Sequence, residues 1–134
     1  MTIITSPHEV KTPDGKKIEH ICEYGIGYYT LGPRYGMSPN YHYGECKPPE
    51  QKQVDLSKSW IMKNCEPRKT INHNHSSYGL KHVVERDVEE YISNGAFIKA
   101  AIELGYKYKV KSPNAWFAIT VFSSNEKEEE KGKK

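Results

Sequence analysis

Residues 70–105 read TINHNHSSYGLKHVVERDVEEYISNGAFIKAAIELG, and the spacing of their apolar side chains decides the fold. Leu80, Val83, Val84, Val88 and Tyr91 recur at three- or four-residue intervals after Ser77, which predicts a helix over 77–91 with one buried face. Lys81, Glu85, Arg86, Glu89 and Glu90 fall on the other side, where charges on adjacent turns support a solvated face. A second helix follows at once. Ser93 or Asn94 supplies the side-chain oxygen that caps its first turn, and Gly105 supplies the left-handed residue that ends it. Between them Phe97, Ile98, Ala100, Ala101, Ile102 and Leu104 leave only Lys99 and Glu103 polar. Most of this helix is therefore expected inside, with Ala100 and Ala101 small enough to admit a close neighbour.

Beyond Gly105 the period changes to two. Tyr106, Tyr108 and Val110 alternate with Lys107, Lys109 and Lys111, so a strand here has one apolar and one cationic face. Ser112-Pro113-Asn114 has turn chemistry, and the apolar run AWFAITVF at 115–122 reads as a central strand. The fold class is thus α+β: two adjacent helices packed on an antiparallel sheet that includes a C-terminal β-hairpin.

Upstream, Pro13-Asp14-Gly15 predicts a turn, followed by a strand from Lys17 in which Ile18, His20 and Cys22 alternate with Glu19, Ile21 and Glu23. Six of the ten tyrosines and five of the ten glycines fall in 24–44, a composition that favours short strands and tight loops over helix. Residues 47–53, with Pro48 and Pro49, read as an exposed connector. In 54–65 either a short helix capped by Asp55 or Ser57 and carrying Trp60 and Ile61, or a strand, fits the pattern. Residues 68–72 read as a strand leading into the first confident helix. The charged end, 123–134, reads as a solvated tail to a single domain over 1–122.

The 134 residues, 36% hydrophobic and 28% charged, have an ordinary globular composition, and the mean hydropathy of −0.81 is on the polar side. No stretch approaches the roughly 20 apolar residues that span a bilayer, and MTIITSPHEV has neither a basic leader nor an apolar signal run, so a cytoplasmic protein is expected. Cys22, Cys46 and Cys65 form an odd set without a C-x-x-C pair, which is read as unpaired thiols of a reducing compartment. The net charge of +3 is unevenly spread: residues 1–67 hold eight basic and eight acidic side chains, and 68–134 hold twelve and nine.

His73, His75, Tyr78, Lys81, His82 and Glu85 are the densest chemically able set. Were His73 and His75 on one side of a strand and His82 and Glu85 near them, they would suit a divalent metal, or acid–base chemistry with His75 or His82 as base and Lys81 as electrostatic partner. The spacing matches no zinc signature, and no phosphate-binding loop, dinucleotide fingerprint or nucleophile elbow occurs, so neither catalytic residue nor cofactor is assigned. Helix, helix and hairpin invite comparison with a winged helix–turn–helix, but the second helix offers no side chains for base edges, and Lys107, Lys109 and Lys111 suit phosphate contacts only. Tyr28, Tyr35, Tyr41 and Tyr43, with Arg34, have the composition of a contact surface.

SSYGLKHVVE, YISNGAFIKAAIELGY and PNAWFAI resemble a block found in small uncharacterised proteins of bacteriophages and mobile elements. Ser77, Tyr78, Leu80, Lys81, His82, Glu85, Tyr91, Ser93, Asn94, Gly95, Phe97 and Asn114 carry the likeness, over about residues 70–120. It implies a genomic setting and no reaction. By analogy with that setting, the expected function is non-enzymatic binding of a host protein or ribonucleoprotein, as an inhibitor of host defence such as CRISPR effectors, through the tyrosines, Arg34 and the lysine strand. The alternatives are an enzyme acting on nucleic acid through the histidines, and a phosphate-contacting DNA-binding protein.

Overall fold

The computed structural model describes residues 9–26, 47–111 and 113–122. They form an α+β fold with antiparallel sheets: β1 (Glu9–Lys11), β2 (Ile18–Cys22), β3 (Gly25–Ile26), α1 (Gln51–Asn64), β4 (Cys65–Pro67), α2 (Ser77–Val88), α3 (Asn94–Glu103), β5 (Tyr108–Lys111), β6 (Asn114–Phe117) and β7 (Ile119–Val121). The sheets are small, pairing β1-β2-β3, β4-β7 and β5-β6.

Helix α3 is the centre. The Ser93 hydroxyl accepts from Ala96 N–H as predicted, and every residue from Asn94 to Ile102 except Lys99 is buried. Around it lie α1, α2, β1, β2, β3 and β6. Phe97 meets Trp60 of α1 and Phe117 of β6 edge-on, at centroid distances of 6.5 and 6.0 Å, and Phe117 in turn meets Tyr108 of β5 at 6.5 Å. Burying such a ring contributes about 1.5–3 kcal/mol, so this row of aromatics joins four elements, α1, α3, β5 and β6.

Two polar joints hold the layers in register. Asn94 Nδ2 donates to the Tyr24 carbonyl at 3.0 Å and to Asn114 Oδ1 at 2.9 Å, while Gly95 N–H donates to the Glu23 carbonyl at 3.2 Å. Ser77 Oγ at the start of α2 accepts Ala115 N–H at 3.0 Å. These replace solvent for groups that the core excludes.

Several expectations are corrected. Helix α2 ends at Val88, because Glu89 takes a left-handed conformation (φ 57°) and the Glu85 side chain accepts Ile92 N–H. Tyr91 therefore leaves the apolar face and is 63% exposed. Residues 51–53 belong to α1, which begins before the expected caps Asp55 and Ser57 and buries Val54, Ser57, Trp60 and Ile61 on one side; Pro49 is also buried. The strand expected at 68–72 lies at Cys65–Pro67, and Asn72 turns the chain after it, donating Nδ2 to the Ile119 carbonyl and accepting Asn74 N–H. The run 115–122 is two strands, not one. It bends at Ala118, whose N–H and carbonyl bond Lys107 and Arg68, so β6 pairs with β5 and β7 with β4. Val110, expected on an inner face, is 38% exposed. Cys22 is disulfide-bonded, which removes the inference from unpaired thiols, whereas Cys65 is a buried thiol outside any disulfide. No helix among the described residues is long and apolar enough to cross a membrane.

A Cβ on Gly95 would lie 1.8 Å from the Cys22 carbonyl oxygen, whereas one on Gly79 would find nothing nearer than Ser76 Oγ at 3.6 Å. In urea unfolding, Gly95→Ala is expected to cost about 3 kcal/mol through backbone displacement. Gly79→Ala should instead stabilise α2 by up to about 1 kcal/mol, because alanine restricts the unfolded chain without a clash.

Candidate functional site

The hairpin β5-β6 presents its two faces to different surroundings. On the inner face Tyr108 lies across from Phe117, and its hydroxyl donates to Glu19 at 2.6 Å. Burial and the neighbouring carboxylate push the Tyr108 phenol well above its usual range, so it stays a neutral donor. Glu19 also pairs with Lys17 at 3.0 Å.

The outer face is cationic. Lys109 lies across from Trp116 and Lys111 across from Asn114, and Lys107 precedes the strand with the same parity. All three lysines are exposed. His73, in the turn that Asn72 holds, closes a shallow cleft of about 260 Å³ lined by Lys109, Lys111 and Trp116. No Asp or Glu occurs in 67–84 or 104–122, the stretches that build this side. Elsewhere Lys17, Lys52, Lys58, Lys81 and Arg86 are in ion pairs. Among the described residues, Lys107, Lys109 and Lys111 are in none.

Trp116 also differs from the other tryptophan. Trp60 is 4% exposed, touches Phe97 and donates its indole N–H to Asp87 at 2.7 Å. Trp116 is half-buried, and among the described residues it stacks on no ring and its indole N–H has no acceptor. A larger cleft of about 500 Å³ lies between the β1–β2 turn and the end of α3. Its rim carries Lys16, Lys17 and Lys107 beside Asp14, with Lys17 paired to Glu19, so its charge is partly offset.

The histidine set predicted as one cluster is divided. His73 stands with the hairpin lysines, whereas His82 Nδ1 lies 2.9 Å from Glu85 and its ring meets Tyr78 edge-on at 4.6 Å. His75 sits half-buried just before α2. Among the described residues no group of three or more His, Cys, Asp or Glu side chains is arranged to hold a metal ion, so the arrangement that metal-assisted chemistry required is not formed.

Tyr78, Lys81, His82 and Glu85 do come together, as a clamp on the chain. Lys81, 6% exposed, pairs with Glu85 at 3.2 Å and lies between the rings of Tyr78 and Tyr91, at 5.4 and 4.9 Å from their centroids. The second Glu85 oxygen bonds His82, and the first also accepts Ile92 N–H. The network fixes the turn from α2 to α3 and leaves its charges satisfied. Tyr28, Arg34, Tyr35, Tyr41 and Tyr43 lie outside the described residues.

Trp116 and His73 were not recognised as partners of the lysine strand. The signal was present, because pairing 111 with 114 places position 116 opposite 109 and on the lysine side.

Partial burial pushes the Glu85 carboxyl up, but the Ile92 N–H, Lys81 and His82 more than offset it and hold it below the ordinary 4.5. A depressed carboxyl stabilises the fold above its unfolded value and loses that contribution as pH falls through the lower folded value. Glu85→Gln is therefore expected to cost about 2 kcal/mol at neutral pH. The gap from the unsubstituted protein should narrow in denaturant titrations as pH falls from the ordinary 4.5 through the lower folded value.

No protein-family model matches the chain, and no curated protein or solved structure matches it either, so the site is read from its own geometry.

Proposed function

We propose that this chain is a binding protein, not an enzyme, and that it engages a phosphate-bearing partner, a host ribonucleoprotein, through Lys107, Lys109 and Lys111. The observation that carries the reading is that Lys109 and Lys111 share one face of β5 and Lys107 precedes them with the same parity, all three exposed and without a carboxylate partner among the described residues. Ammonium groups already held in ion pairs lose an interaction when they meet phosphate. Unpaired ones lose only water and bound counterions, and releasing the phosphate counterions favours association. The strand holds alternate lysines about 7 Å apart along one line, which suits a backbone of regularly placed charges.

Obstruction of a host defence complex is the role that the likeness to phage and mobile-element proteins implies for such a binder. It belongs to the same reading, since a small protein laid along a nucleic-acid channel competes with the strand that normally occupies it.

The test is the affinity for a fluorescent, unstructured RNA across a salt series, with the RNA recovered and its length checked. Binding should weaken with salt with a log–log slope of about −2, for three phosphate contacts at roughly −0.7 each, and the RNA should be recovered uncut. The K107Q/K109Q/K111Q variant should lose most of the slope. Equal affinity of that variant and the unsubstituted protein would remove the lysine face from the site, and cut RNA would return the chain to the enzymes.

A further inference from the structure

Resting on that reading, we infer that the strand held by this face is single-stranded and that Trp116 stacks one of its unpaired bases, with Lys109 and Lys111 on the flanking phosphates. Four observations converge on the cleft. Trp116 is half-buried, so its ring is held in place while part of it faces out. Among the described residues no other ring and no cation covers it, although Lys17 and Lys81 lie over tyrosine rings elsewhere. Lys109 is its direct cross-strand neighbour, and Lys111 lines the same cleft. His73 completes the wall with a ring that can donate to phosphate or to a base edge.

The size and shape argue against a duplex. A cleft of about 260 Å³ admits a flat ring and not the width of a double helix. A duplex also keeps its bases stacked on one another, so it would leave the free face of Trp116 unused. Helix α3, the second helix of the pair, is buried and cannot enter a groove. An unpaired strand lying along β5 satisfies both features together, its phosphates meeting alternate lysines and one base turning onto the indole. A purely proteinaceous partner would need carboxylates for the lysines and a side chain for the indole. It has no counterpart to the repeat of charge and ring along one line.

The experiment is a tryptophan-fluorescence titration of the full chain with oligouridylate of about ten nucleotides, the length one small module covers, and in parallel with inorganic polyphosphate and with a duplex of equal length. Trp60 is shielded in the core, so surface quenching reports on Trp116. Expected are quenching by oligouridylate, little by polyphosphate or duplex, and loss of the quenching in Trp116→Phe. Trp116→Ala should weaken oligouridylate binding roughly ten- to hundredfold and leave polyphosphate binding unchanged. If Trp116→Ala does not fold by circular dichroism, the quenching comparison with Trp116→Phe decides. Salt-dependent binding of oligouridylate and polyphosphate without quenching would overturn the stacking inference and leave the lysine reading standing. Tighter binding of the duplex would also overturn it. Binding of neither polyanion, with affinity only for a protein, would overturn both.

Discussion

Everything in the structure depends on how closely the first turn of α3 approaches the chain at Cys22–Tyr24. Gly95 sits where any side chain would occupy the Cys22 carbonyl, and Asn94 beside it reaches both the Tyr24 carbonyl and Asn114. One dipeptide thus ties the end of the N-terminal sheet, the central helix and the C-terminal hairpin into a single joint. The second tight approach lies beside it: Gly25 packs on the Pro113 carbonyl, which also accepts Ile26 N–H at 2.8 Å. Hydrogen bonds of this kind are modest in net energy, but they are buried. Removing one partner strands the other, so the joint has little freedom to slide.

The joint determines where function can lie. Because α3 is used entirely for packing, it has no face left for a ligand, and α2 spends Lys81, His82 and Glu85 on closing the turn that leads into α3. Among the described residues, the hairpin keeps a face that packing does not use. Its turn is pinned by Asn94, its inner face by Phe117 and Tyr108, and the bend at Ala118 hands the chain on to β7. Its outer face is left open among the described residues, and that face carries Lys109, Lys111 and Trp116. A charged surface on a fixed hairpin loses less on binding than one on a loose loop, since less side-chain and backbone freedom remains to be ordered.

How much of this was legible in the sequence varies with the range of the interactions involved. Helix α3 was readable, because its cap at Ser93, its end at Gly105 and its nearly continuous apolar content are local signals. The hairpin was readable from a change of period. The end of α2 was not. Tyr91 has the right spacing for the buried face, and only the bond from Ile92 N–H to Glu85, together with a left-handed Glu89, takes it out of the helix. Likewise nothing local marks Ala118 as a bend; it bends where its N–H donates to the Lys107 carbonyl and its own carbonyl accepts Arg68 N–H, one bond to each flanking segment. The histidines failed as a cluster for a related reason. Proximity in sequence brought His73, His75 and His82 together on paper, whereas Asn72 and the start of α2 send His73 towards the hairpin and leave His82 beside Glu85.

The residues on which the proposed likeness to phage and mobile-element proteins rests divide by what they touch. Ser77 holds β6, Leu80 and Phe97 fill the core, and Ser93, Asn94, Gly95 and Asn114 build the joint. Tyr78, Lys81, His82, Glu85 and Tyr91 form the clamp at the end of α2. None of them lines the cationic cleft. A likeness resting on these residues would concern the scaffold and is silent about a partner. The partner would be chosen by side chains that the scaffold leaves free, here the alternating lysines of β5, His73 and Trp116, whose identities the joint does not constrain. A chain that kept the joint and exchanged those few side chains would fold alike while presenting a different surface, so the recognisable block constrains the scaffold and leaves the outer face of the hairpin free to vary.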